Sequence, residues 1–282
     1  MAKFILSAFA DEYSRNIDEQ LAVLKRLGYT HIEPRFVGER NVADLSESDA
    51  RDLKARLDRE GISVYSVGSP IGKVSLYHEF TSYLSYAEDV FRNASILGAR
   101  CVRVFSFYMP EGVTREEAFP LVVSKMWALC DLADKYGLTL CHENEAKIYG
   151  ESPECCLALL EALGGRLRAV FDMGNFVLDG YNPVEAYTLL SDYIEYFHIK
   201  DALYERAIVP AGLGEAKIAE ILTAHRALGT DTVITLEPHL QTFDGLGSLT
   251  DSTYKNPYVF ESQEAAFLAG ADALKGVLEE IE

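Results

Sequence analysis

Four apolar stretches of this chain end abruptly in side chains that bind metals or carry protons. TLCHENE (139–145) ends in His142, Glu143, Asn144 and Glu145, and RLRAVFDMGN (166–175) reaches Asp172 and Asn175. YIEYFHIKD (193–201) reaches His198, and TVITLEPH (232–239) reaches Glu237 and His239. Singly, each has an ordinary reading: a solvated carboxylate beside a lysine or arginine, or a core histidine with its bonds satisfied. Jointly, Glu143, Asp172, His198 and Glu237 read as one site around a divalent cation. Three carboxylates and an imidazole suit Mn²⁺ first, then Mg²⁺ or Co²⁺, with Zn²⁺ admitted although the set is harder than a structural zinc site. Carboxylates gathered away from water need a counter-charge, and a cation supplies it.

Such a site requires elements that bring four strand ends together. Eight short, nearly continuously apolar runs read as buried parallel strands: 4–9, 31–36, 62–67, 99–105, 138–141, 167–171, 193–199 and 232–236. Helical patterns lie between them, for example 16–27 with apolar residues at 17, 21, 24 and 27. Ser46 with Asp49 reads as a capping box, and Gly28, Gly61, Gly98, Gly137 and Gly229 stop helices before strands. This beat predicts a (β/α)8 barrel, one domain over 1–282, with its active site at the C-terminal strand ends. A doubly wound sheet is the competitor, weakened by the lack of a GxGxxG after the first strand. After strand eight comes a loop of roughly two dozen residues holding Phe243, Gly245, Gly247, Tyr254, Lys255, Asn256, Pro257 and Tyr258, a candidate lid or substrate wall.

Composition narrows the function. The 282 residues carry a formal charge of −18, which argues against nucleic acid and anionic membranes as partners. No run of about 18 apolar residues suggests a membrane span, and the first residues read as a strand rather than a signal peptide. Five scattered cysteines (101, 130, 141, 155, 156) suit reduced, buried thiols in a cytoplasmic protein.

The motifs HENE, FDMGN, FHIKD with the following GLGE, and TLEPHL resemble the xylose-isomerase-like TIM-barrel family over essentially the whole chain. Sugar phosphate isomerases/epimerases, ketose 3-epimerases, hydroxypyruvate isomerase and inosose dehydratase are its nearer relatives. SPIGK (69–73) and RVFSFY (103–108) resemble a subgroup of the family. The resemblance implies that Glu143, Asp172, His198 and Glu237 are the metal ligands. It further implies a small keto sugar or polyol as substrate, a metal-stabilised enediolate, and Glu143 and Glu237 as acid and base on its two faces. Homo-oligomers are common among such relatives.

Two positions depart from the ketose epimerases. Asn175 stands where they carry a substrate-contacting histidine, and IKDALYER replaces an arginine-containing segment, leaving Lys200 or Arg206 as the substitute. Asn175, Lys200, His239, Arg35 and Arg206 are therefore the substrate-binding candidates. For Lys200 an ion pair with Asp201 is the plainer expectation, ahead of a Schiff base. Glu33 and Arg35 line the mouth or pair with each other, and Lys73 meets an anionic group or is a solvated loop lysine. No glycine-rich cradle marks a phosphate. A metal-dependent dehydratase of a keto-inositol or a 3-keto-glycoside eliminase is the alternative reaction. An abasic-site endonuclease fits poorly with six histidines and an acidic chain, and a non-catalytic sugar-binding module would need no metal.

Overall fold

The computed structural model describes residues 2–241 and 254–282. Its barrel strands are β1 (Phe4–Ala8), β2 (His31–Ile32), β3 (Ser66–Gly68, preceded by Ser63–Val64), β4 (Cys101–Val104), β5 (Thr139–Glu143), β6 (Leu167–Asp172), β7 (Ile194–Ile199) and β8 (Thr232–Leu236). Seven of them form one curled parallel sheet in the order β1-β8-β7-β6-β5-β4-β3. The short β2 completes the ring: His31–Ile32 pairs in parallel with Ser63–Val64, the Glu33 N–H donates to Ala8 O and the Gly68 N–H to Pro34 O. The expected (β/α)8 barrel is thus observed, with β2 reduced to two residues.

The helices are α1 (Ile17–Leu27), α2 (Glu47–Glu60), α3 (Phe80–Leu97), α4 (Arg115–Asp134), α5 (Pro153–Ala162), α6 (Met173–Leu178), α7 (Pro183–Leu190), α8 (Ile218–Arg226) and α9 (Gln263–Ile281). The Ser46–Asp49 capping box opens α2, and Gly28, Gly61 and Gly98 end α1, α2 and α3 in the left-handed conformation. Two elements depart from the expected pattern. In FDMGN, Asp172 accepts from the Asn175 N–H and so caps α6, which follows β6 at once and is not among the expected helices. After β7 the chain forms an antiparallel hairpin, Asp201–Leu203 with Ala207–Val209, before α8 begins at Ile218.

Alternation along the strands sets what the barrel holds. Cys101, Cys141, Val170, Tyr196 and Val233 pack as one buried cluster with Ile5 and Tyr65. Each of the first five lies two residues before a polar side chain on its own strand: Arg103, Glu143, Asp172, His198 and Thr235. Side chains two apart share a face, so this apolar layer is the floor on which the polar layer stands. The four cysteines at 101, 130, 141 and 156 are buried and all five are free thiols, as expected of small core residues.

The long loop lies partly outside the described residues, including Phe243, Gly245 and Gly247. Its described end docks on the hairpin: the Lys255 N–H donates to Arg206 O, and the Ile208 N–H to Lys255 O. The Arg206 guanidinium lies 5.2 Å from the Tyr254 ring centre.

Candidate active site

Glu143, Asp172, His198 and Glu237 lie at or just past the C-terminal ends of β5, β6, β7 and β8, and each offers a ligand atom within 4.8 Å of the others. All four side chains are buried. The register explains the meeting: His198 lies opposite Asp172 on β6 and opposite Thr235 on β8, with Glu237 two residues further along the latter chain.

Each carboxylate has one oxygen tied outward. Arg103 Nη1 donates to Glu143 Oε2 (2.9 Å), and Arg35 Nη1 to Glu237 Oε1 (2.9 Å). The Asn175 N–H donates to Asp172 Oδ1 (2.8 Å). The other oxygens converge on His198, whose Nδ1 lies 3.2 Å from Glu143 Oε1 and 3.5 Å from Glu237 Oε2 without hydrogen-bond geometry to any described residue. Its Nε2 faces Glu33 Oε2 at 3.2 Å, and Glu33 also accepts from Tyr196 and Thr235. A carboxylate on Nε2 leaves Nδ1 as the nitrogen that can ligate. Three inward oxygens and one inward imidazole nitrogen fit a divalent cation.

The local charges are mutually dependent. Burial favours the neutral form of Glu143, but His198 and Arg103 overturn that and hold its carboxyl down at about 2. Burial raises Asp172 to about 6, an effect that Lys200 only partly offsets. Against burial, Glu143 and Glu33 push His198 up to about 10. Burial likewise disfavours a charged Glu237, and Lys200 carries its carboxyl well below the ordinary carboxylate range.

Several expectations require correction. Lys200 does not pair with Asp201; its Nζ donates to Asp172 Oδ2 (2.9 Å), Asn175 Oδ1 (3.0 Å) and Glu237 Oε2 (3.2 Å). Adjacent residues on an extended chain point to opposite sides, so Asp201 turns away. Asp201 instead accepts from the backbone N–H groups of Ala202, Gly212, Gly214 and Ala216, which shapes the GLGE turn. Glu33 and Arg35 do not pair either: Arg35 bridges Asp11, Glu12 and Glu237. Both are buried (1% exposed), as are the four clustered side chains. Lys73 is no solvated lysine: it is largely buried and meets Glu145 at 3.1 Å. Arg206 is not brought into the cluster; Nη1 donates to Leu178 O at the end of α6. His239 is brought in, with Nε2 3.3 Å from both Glu12 Oε1 and Glu237 Oε1 and a left-handed backbone (φ 47°).

Within HENE the roles now separate. Asn144 exchanges two hydrogen bonds with the Asp172 backbone, and Glu145 holds Lys73. His142 points away from Glu143, to Ser106 Oγ (2.9 Å) beneath Gly150, and burial holds it down at about 4. The unfolded chain protonates there near 6.5, so this histidine's share of stability is intact above that pH and is lost as pH falls towards 4. The expected result is a melting temperature that drops between these limits, with a shallower drop in His142→Gln. Identical acid limbs in thermal melts of the two proteins would contradict it.

The sequence reading missed Arg103, Asp11 and Glu12. Arg103 was signalled by a lone cation inside the apolar run CVRV, and Asp11 and Glu12 by β1 ending, like the ligand strands, in acids. SPIGK and RVFSFY prove to be two halves of one wall. Ser69 Oγ donates to Arg103 O, the Phe105 N–H to Ile71 O and the Tyr108 N–H to Val74 O. Gly72, at φ 93°, lies so close that an added Cβ would stand 2.0 Å from Phe105 O.

Parallel strands closed into a barrel, with a buried cluster of carboxylates and imidazole at their C-terminal ends, define a TIM-barrel protein with a candidate metal centre at the active face. The chain belongs to the xylose isomerase-like TIM barrel family, whose profile matches residues 21–275. Inosose dehydratase of Geobacillus kaustophilus (strain HTA426) is 24% identical over 213 residues, spanning 71% of this chain and 66%, just under two thirds, of that protein. D-psicose 3-epimerase from Clostridium cellulolyticum H10, solved with D-tagatose, superposes with a TM-score of 0.77 at 13% identity, covering 99% of this chain and 100% of its own. A xylose isomerase-like TIM barrel protein from Mycobacterium smegmatis, solved with magnesium, gives 0.70 at 18% identity over 100% and 98%. Among the described residues no helix is long and apolar enough to cross a membrane.

Proposed function

We propose that this protein is a divalent-metal-dependent isomerase or epimerase of a small keto sugar or polyol, with Mn²⁺ as the preferred ion. The carrying observation is that Glu143 and Glu237 each hold one oxygen on a buried arginine and turn the other towards the same centre. A bound ion would be held by Glu143, Asp172, His198 and Glu237 and would polarise the substrate carbonyl. One glutamate takes the proton from the carbon next to that carbonyl, and the C–H electron pair moves into an enediolate. The other glutamate, protonated from solvent before the turnover, gives its proton to the same carbon from the opposite face and so yields the epimer; return of the abstracted proton by the first glutamate to the neighbouring carbon yields the isomer. Arg103 and Arg35 fix the two carboxylates without sharing their reactive oxygens, which is the preorganisation such transfers need. Asn175 cannot carry a proton and serves as a hydrogen-bonding contact.

The dehydratase reading has its own support. Lys200 places an ammonium between Asp172 and Glu237, where it could protonate a departing β-hydroxyl, and one curated relative is an inosose dehydratase. Incubation of the metal-loaded protein with ketoses, keto-inositols and 3-keto-glycosides, followed by NMR of the products, separates the two. An epimer or isomer of equal mass is expected; loss of water or aglycone would replace this reading with the lyase.

A further inference from the structure

Resting on the ligand assignment above, we infer that Lys200 is a built-in competitor of the divalent cation: its ammonium holds the ligand cluster together in the metal-free protein and must move for the ion to bind. Three observations carry this. First, Glu143, Asp172 and Glu237 each have one oxygen tied outward, by Arg103, the Asn175 N–H and Arg35. Second, apart from His198, itself one of the candidate ligands, Lys200 is among the described residues the one side-chain cation bonded to inward oxygens, and it takes two of the three: Asp172 Oδ2 and Glu237 Oε2. Third, the place for Lys200 is constructed. A Cβ at Gly174 would stand 2.7 Å from Lys200 O and 2.9 Å from its Cγ, so the glycine of FDMGN leaves room for this stem. Asn175 supplies the ammonium's third acceptor.

A divalent ion drawing on Asp172 Oδ2 and Glu237 Oε2 would lie against a full positive charge at contact distance. Like charges that close inside a protein repel strongly, so ion and ammonium do not share those oxygens. Without an ion the same ammonium would relieve Asp172 and Glu237, two buried carboxylates that otherwise repel each other. The cluster therefore stays assembled without its ion, and metal affinity is lower than the donor set alone would give.

Lys200→Met keeps the stem and removes the charge. Calorimetric titration with Mn²⁺ should show tighter binding than in wild type, on the order of tenfold or more. Melting curves should show a lower metal-free midpoint and a larger gain on adding Mn²⁺. Equal or weaker Mn²⁺ affinity in the variant would overturn the inference. If the variant does not fold, wild-type protein carrying ¹⁵N at lysine Nζ gives the answer: Mg²⁺ addition should shift the Lys200 ammonium resonance, and an unchanged resonance at full Mg²⁺ occupancy would overturn it. Wild-type protein that binds no metal would remove the ligand assignment itself, an outcome distinct from either.

Discussion

Glutamine at position 237 or 143 is expected to lower substrate turnover by about 10²–10⁴-fold, the range that a positioned acid or base contributes. An amide can still lie against the neighbouring arginine but can neither take nor give a proton. At Glu237 the fold should tolerate the change, because Arg35 keeps Asp11 and Glu12 as partners. At Glu143 the cost is higher, because Arg103 is then left with the Ser69 carbonyl as its full-strength acceptor, so a loss of thermal stability should accompany the loss of rate. Steady-state rates at saturating Mn²⁺, with bound metal measured in the same samples, check this. Wild-type turnover in either variant would remove that glutamate from the acid–base pair.

Alanine at Asp172 or His198 is expected to abolish stoichiometric metal binding. Asp172→Ala removes an inward oxygen and the cap of α6, and leaves Lys200 with Glu237 and Asn175. His198→Ala removes the one nitrogen donor and empties a space bordered by the rings of Phe9 and Tyr196. Helix caps contribute about 1 kcal/mol, and truncating a buried ring about 3 kcal/mol or more, so both variants should melt earlier. Elemental analysis after dialysis against Mn²⁺ reads the outcome. Full metal occupancy in either purified variant would contradict the ligand set.

Much of this was legible in the sequence because it rests on local patterns. Apolar runs alternating with helical spacing placed all eight strands, and polar residues at the ends of β5 to β8 pointed to the four clustered side chains. What escaped depends on contacts distant in sequence or on details too short to show a period. β2 is two residues long, and α6 is buried throughout, so MGNFVL shows no polar face to mark it as a helix. Arg35 finds Glu237 across 202 positions rather than Glu33 nearby. The partner of Lys200 could have been read: alternation puts residues 196, 198 and 200 on one face and Asp201 on the other, but ion pairing with the nearest acid was preferred to geometry. Arg103 was equally readable as a charge on the inward face of an otherwise apolar strand.

The central claim is that a divalent ion bound by these residues enables removal of a proton beside a carbonyl. Solvent exchange tests it most directly. Chelator-treated and Mn²⁺-reloaded protein are each incubated in D₂O with the keto-sugar and keto-inositol panel, and the recovered sugars are examined for deuterium. The expected result is deuterium on the carbon next to the carbonyl of at least one compound with the reloaded protein and none with the chelated protein. Absence of deuterium from every compound at full Mn²⁺ occupancy, or equal incorporation by the chelated protein, would contradict it.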